Sequence, residues 1–134
     1  MNRSRRLAVA ATGVMLLAVA AAKAEVDASA KAGVDPDKGK AVFEQCAACH
    51  SPGGAGDYDG PTLKGVFGRK AGSLEDYRYS AAMKRSGVTW DAMTLDQYVT
   101  DPQAFIPGNR MAFAGITEKT ERDDLIAYLE IATR

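Results

Sequence analysis

Both cysteines and the single histidine of this 134-residue chain fall within five consecutive residues, Cys46-Ala47-Ala48-Cys49-His50. All the thiol and imidazole chemistry open to the chain is therefore confined to one place. One histidine excludes a metal site built from several imidazoles, and two cysteines exclude a scaffold held by many disulfides. A redox-active C-x-x-C is expected inside a thioredoxin-like βαβ pattern, which this sequence lacks. Half of a zinc site would need further Cys or His ligands, and there are none. Covalent haem attachment fits best. Two thiols at this spacing reach two vinyl groups on one porphyrin edge, and the adjacent histidine meets the iron from the same side. A structural disulfide is the blander alternative.

The charge balance, 17 Lys+Arg against 17 Asp+Glu, gives no basic excess of the kind that binds nucleic acid. It also joins two unlike segments. Residues 1–24 hold Arg3, Arg5, Arg6 and Lys23 and no acid, and the 16 residues from Leu7 to Ala22 carry no charge. Ala22-Lys23-Ala24 closes the segment with an A-x-A exit. A basic start, an apolar run and a small-residue exit make a secretory signal peptide, expected to be cleaved near Ala24. A cut after Ala30 and an uncleaved tether are the alternatives. The apolar run falls short of the roughly 20 residues of a spanning helix. Ser4-Arg5-Arg6 is only a weak twin-arginine hint. Without residues 1–24 the chain keeps 13 basic and 17 acidic residues, a formal charge of −4. Such a product is expected to be exported.

About 110 residues remain, enough for a single core that a bound cofactor would stabilise further. A hydrophobic share of 46% with 25% charged residues is that of an ordinary globular domain. Residues 25–34 are Ala-rich and aperiodic and read as a flexible N-terminal linker, leaving 35–134 as the domain. Asp35-Pro36 has the form of an N-cap followed by a proline at the first helical position, with the helix ending near Cys49. Seven glycines and two prolines between Ser51 and Gly72 mark loop. Thr94-x-x-Gln97 has the capping-box spacing and predicts a helix carrying Leu95, Tyr98 and Val99, ended by Asp101-Pro102. Residues 117–133 predict the longest helix, with Leu125, Leu129 and Ala132 on one face and Tyr128 beside them. No strand pattern stands out, so the fold class is all-α: two terminal helices, one or two short middle helices, and extensive loops that need something large to pack against.

A haem that only carries electrons takes a second axial ligand from the protein, and no second histidine exists. Past residue 24 the methionines are Met83, Met93 and Met111. Methionine on an apolar helical face is normally core filling, and Met93 has that setting. Met111 instead follows the constrained turn Ile106-Pro107-Gly108-Asn109-Arg110, where placement is rigid, and is the chosen ligand.

Beyond these residues the chain resembles the class I c-type cytochromes, close to the bacterial cytochrome c2 and mitochondrial cytochrome c group. The resemblance covers about residues 35–134. It rests, in order, on Cys46–His50, on 60–70 (Gly-Pro-Thr-Leu-Lys-Gly-Val-Phe-Gly-Arg-Lys), Tyr77-x-Tyr79-Ser80, Gly87-Val88-Thr89-Trp90, Ile106–Phe113, and the run Thr120–Leu129. It implies the cytochrome c fold, with three to five short helices and loops wrapped around one covalently bound haem c. Cys46 and Cys49 would form the thioethers, with His50 and Met111 as the iron ligands. The Pro61 carbonyl would accept from the His50 ring and fix its tautomer. Tyr98 would direct its hydroxyl toward the Met111 sulfur. Arg69, Tyr79, Ser80 and Trp90 would hold the haem propionates, since a buried carboxylate is costly unless hydrogen-bonded or paired; Tyr79 and Trp90 also read as plain core aromatics. Gly39 and Phe43 of the first helix would meet Leu125 and Tyr128 of the last.

The implied function is one-electron transport, not catalysis. A monomeric periplasmic carrier would move electrons from a bc1-type complex or a periplasmic dehydrogenase to a terminal oxidase or a photosynthetic reaction centre, as part of a respiratory or similar chain. It would touch membranes only through those complexes. A haem peroxidase or gas sensor would need Met111 absent or labile, and a dedicated dehydrogenase subunit would form a stable complex. Three departures qualify the resemblance. Met83 stands where an asparagine near an internal water is common and is expected to displace or rearrange that water. Asn109 stands where threonine is common, which alters the internal polar network. Gln45, Gln103 and Ala104 thin the lysine ring of mitochondrial members, which predicts weaker ionic-strength dependence with acidic partners and a changed ligand exchange at alkaline pH.

Overall fold

A computed structural model of the protein describes residues 33–54 and 59–134. The expected signal peptide, residues 1–24, and all but the end of the 25–34 linker lie outside the described residues. Five helices follow: α1 Pro36–Ala47, α2 Ala81–Arg85, α3 Ala92–Thr100, α4 Pro102–Phe105 and α5 Lys119–Ala132. Among the described residues the sole β feature is an isolated bridge between Lys70 and Thr89. The all-α expectation therefore holds, with three middle helices where one or two were expected.

Asp35 starts α1 as anticipated. Its carboxylate accepts from the Asp37 and Lys38 N–H groups, and Pro36 occupies the first turn, where a missing N–H costs nothing. The helix ends at Ala47, two residues before Cys49. Asp101 repeats the device one helix later. It terminates α3 and caps α4 by accepting from Gln103 and Ala104 N–H, with Pro102 at the first position.

Two expectations about α3 need correction. The helix starts at Ala92 with Asp91 as its N-cap, and Thr94 is the inner member of the capping box. The Asp91 carboxylate accepts from Thr94 N at 2.7 Å, and Thr94 Oγ1 accepts from Asp91 N at 2.8 Å. Asp91 outcompetes Thr94 because it sits one turn earlier with an extended backbone, as a cap requires. Shifting the start by three residues turns Met93 outward. It is 69% exposed, the opposite of the core filling expected for it. The last helix also starts later than expected, at Lys119.

α5 is the centre of the packing. It lies against α1 along most of both helices and also touches α3, which in turn meets α4. Leu125, at 1% exposure, sits among Phe43, Leu95, Ile126 and Leu129 in the core. Burying a leucine so fully contributes about 1.5–3 kcal/mol. The α1–α5 approach depends on Gly39, where an added Cβ would lie 1.9 Å from the Asp124 carbonyl oxygen and 2.9 Å from Tyr128 Cβ. One turn on, the rings of Phe43 and Tyr128 lie 5.4 Å apart. The Asp124 carboxylate accepts from Asp35 N at 2.7 Å and fastens α5 to the start of α1. Among the described residues, no helix is long and apolar enough to cross a membrane.

Candidate functional site

The segment after α1 turns back on itself directly behind the cysteines. Gly60 N donates to Cys49 O and Leu63 N to Ser51 O, each at 2.8 Å, and Thr62 Oγ1 donates to Gly54 O at 2.6 Å. This doubled loop brings the Pro61 carbonyl to 2.8 Å from His50 Nδ1. A carbonyl only accepts, so Nδ1 carries the proton and Nε2 keeps its lone pair for a metal. Burial lowers the His50 pKa from its ordinary value, and the hydrogen bond to Pro61 opposes that in part. The ring is therefore held neutral, the form that ligates.

No disulfide joins Cys46 and Cys49. Burial first, and the neighbouring Cys49 second, push the Cys46 thiol up to about 11. The disulfide alternative is not what the structure contains.

Met111 arrives from the opposite end of the sequence, on a strap of residues 106–118 between α4 and α5. The strap has no repeating hydrogen bonds of its own and is tied at both ends. At its entry the buried Asn109 donates from Nδ2 to Pro102 O (2.7 Å) and Ile106 O (2.9 Å), and its Oδ1 accepts from Met111 N at 2.9 Å. Gln103 Nε2 donates to Asn109 O at 3.2 Å. At its exit Ile116 N donates to Val99 O at 2.8 Å. Arg122 Nη1 donates to Ile116 O and Thr117 O while its Nε meets Asp96 at 2.8 Å. Between these ties Gly115 has φ +102°, and an added Cβ would lie 2.1 Å from Thr100 O.

These two constructions face one cavity of about 370 Å³. All ten residues singled out from sequence line it: Cys46, Cys49, His50, Pro61, Arg69, Tyr79, Ser80, Trp90, Tyr98 and Met111. So do Met83 and Arg110 and a body of apolar side chains, among them Leu63, Val66, Phe113 and Leu129. Protein interiors tolerate few voids larger than a water molecule. A hole of this size in so small a domain would forfeit many contacts. Its walls fit a flat apolar macrocycle with a thiol pair at hand, an imidazole, a thioether, and a polar group for carboxylates.

The polar residues hold as follows. Arg69 donates from Nη1 to Lys64 O (2.7 Å) and from Nη2 to Thr62 O (2.8 Å), which fixes the guanidinium at the cavity wall. Ser80 caps α2 by accepting from Met83 N at 3.0 Å, which leaves its hydroxyl proton free to donate. Tyr79 packs edge-on against Tyr77 with ring centroids 4.7 Å apart, and burial raises its pKa. Trp90 lies 5.0 Å from the Tyr98 ring. The Tyr98 hydroxyl, whose pKa burial raises strongly, donates to Asn109 Oδ1 at 3.3 Å.

Sequence reasoning underrates four residues. Asn109 was read as a departure from pattern, whereas its amide organises the strap. Gln103 was read as an absent lysine, whereas its amide ties α4 to that strap. The pairing of Arg122 with Asp96 carries no sequence signal, since it joins residues 26 apart.

Comparison with known proteins agrees with this geometry. A model of the cytochrome c family matches residues 36–132. A cytochrome c2 of Rhodoblastus acidophilus is 50% identical over 96 residues, covering 71% of this chain and 90% of that protein. A cytochrome c2 of Blastochloris viridis is 43% identical over 119 residues, covering 88% of each. The structure of cytochrome cH from Methylobacterium extorquens superposes with a TM-score of 0.67 at 45% identity, covering 72% of this chain and 98% of the other. The chain belongs to the cytochrome c family, whose members are electron carriers and not enzymes and hold one covalent haem c, here through Cys46 and Cys49.

Proposed function

We propose that this cytochrome c holds its iron between His50 and Met111 and works as a soluble one-electron shuttle of the periplasm. The observation that carries the reading is the convergence of the two residues on one apolar cavity from segments 61 positions apart in sequence. When bound, the haem supplies the Fe(III)/Fe(II) couple. The chain's own residues do the rest. Cys46 and Cys49 anchor one edge. Pro61 fixes the His50 tautomer and strengthens Nε2 as a donor. Arg69, Tyr79, Ser80 and Trp90 meet the propionates with donors and positive charge.

Two protein ligands leave no open position for substrate, O₂ or peroxide, and thioether ligation raises the reduction potential. Met83, on the cavity wall, takes the space of an internal water. The monomer's partners are a bc1-type complex or periplasmic dehydrogenase as donor and a terminal oxidase or reaction centre as acceptor.

The deciding experiment is the visible spectrum of the oxidised protein. The iron–methionine charge-transfer band at the red end should be present in the wild type and absent in Met111→Ala, with a lower potential. A band that survives Met111→Ala overturns the reading.

A further inference from the structure

Asn109 is 6% exposed, and both ends of its side-chain amide are used. Nδ2 spends its two protons on the Pro102 and Ile106 carbonyls, one in the first turn of α4 and one just after its end. Oδ1 takes two protons, from the Met111 backbone N–H and from the Tyr98 hydroxyl. A threonine, with one hydroxyl, can make no such four-way junction. Tyr98 comes from α3, Pro102 from α4 and Met111 from the strap, so one buried amide joins three separate pieces of the cavity wall. Buried networks of this kind fix geometry when every member is satisfied, and this one is. A phenol has a single proton. Given to Asn109, it is withheld from any sulfur nearby.

We infer that Asn109 is the positioning residue of Met111: its amide sets the backbone from which the thioether projects and draws the Tyr98 hydroxyl proton onto itself. The sulfur is then aimed by the main chain and donates its lone pair unweakened by a tyrosine hydrogen bond. A proton donated to a thioether withdraws electron density from it, disfavours the ferric state and raises the potential. Here that influence is held off by Asn109. The inference rests on the reading of Met111 as a ligand.

The test is a double-mutant cycle on the holoprotein: wild type, Tyr98→Phe, Asn109→Ala and the double variant. Reduction potential, the charge-transfer band and the thermal midpoint are read for each. Tyr98→Phe in the native background should move potential and band less than the same change does once Asn109 is gone, because its proton goes to an amide. Asn109→Ala should weaken the band at neutral pH and move its alkaline loss to lower pH. In that background the freed hydroxyl can turn to the sulfur, so adding Tyr98→Phe should now lower the potential.

Should Asn109→Ala fail to fold, Asn109→Thr replaces it, with the same signs and smaller shifts. A fall in potential on Tyr98→Phe alone as large as in the Asn109→Ala background would place the hydroxyl on the sulfur and overturn the proposal. So would Asn109 variants that lower the thermal midpoint while leaving band and potential as they were. Met111→Ala runs alongside. If it leaves the spectrum unchanged, the ligand assignment itself has failed. If it abolishes the band while the Asn109 variants do not move it, only the positioning role has.

Discussion

The two walls of the cavity are built by opposite strategies. The His50 wall is local: thiols, imidazole and the Pro61 carbonyl lie within 16 residues, and their loop closes on itself. The Met111 wall is assembled at a distance. Its strap is tied to α3 through Val99 and Asp96, to α4 through Pro102 and Gln103, and to α5 through Arg122. A local wall keeps its chemistry wherever the rest of the domain goes. A wall assembled at a distance reports on every element that holds it. Damage to α3, α4 or α5 should therefore appear first as loss of the methionine signature, whereas damage to α1 should lower stability and leave that signature alone.

The hardest test of this contrast is Gly115→Ala. It combines a left-handed backbone with a Cβ pressed into Thr100 O, so a loss of about 3 kcal/mol or more is expected. Urea denaturation would give the loss, and the charge-transfer band should fade well before global unfolding. A band and global midpoint that move together would break the contrast.

Next is Arg122→Ala. It strips two carbonyls of their donor and leaves Asp96 only the distant Lys119, 3.9 Å away. Because Asp96 remains a quarter exposed, we expect roughly 2–3 kcal/mol, below the full cost of breaking a buried pair. The band should again be the more sensitive reporter.

A matched pair sharpens the comparison further. Asp35→Ala and Asp101→Ala each remove an N-cap carboxylate that accepts from two N–H groups ahead of a proline. Each should cost about 1 kcal/mol. Asp101→Ala should also lower the pH at which the methionine is lost, and Asp35→Ala should not.

Acid probes the local wall. Burial depresses the His50 pKa, so the folded protein binds fewer protons than the unfolded chain. Stability is then full above the unfolded value and is lost as the pH falls below about 6.5. Iron coordination acts in the same direction. A thermal midpoint that rises on acidification through that window would contradict the assignment. The smallest effect is Met93→Gln, expected within about 0.5 kcal/mol by thermal melting because the side chain is exposed.

The same division explains what the sequence disclosed. Cys46, Cys49 and His50 announce themselves by spacing, and Asp35-Pro36 and Asp101-Pro102 mark helix starts by local chemistry that needs no tertiary context. The α3 start was misplaced because Asp91 and Thr94 are both good caps, and their choice is settled by backbone extension at Asp91. That misplacement carried Met93 from surface to core in the reading, since a helical face is defined only relative to where packing begins. Asn109 and Arg122 were opaque for a different reason. An amide or a guanidinium has no periodicity, and its partners are known only once the chain has folded.

The hydrogen bond from Asp35 to Asp124 spans 89 residues. Closing a loop of that length costs about 4 kcal/mol in chain entropy beyond a constant. The meeting of α1 and α5 is therefore the step that encloses everything between them, and it waits for the last helix to exist. A nascent chain offers its thiol pair long before that step. The thiol pair of the unfolded chain lies open, and the domain shuts around it only when α1 and α5 clasp.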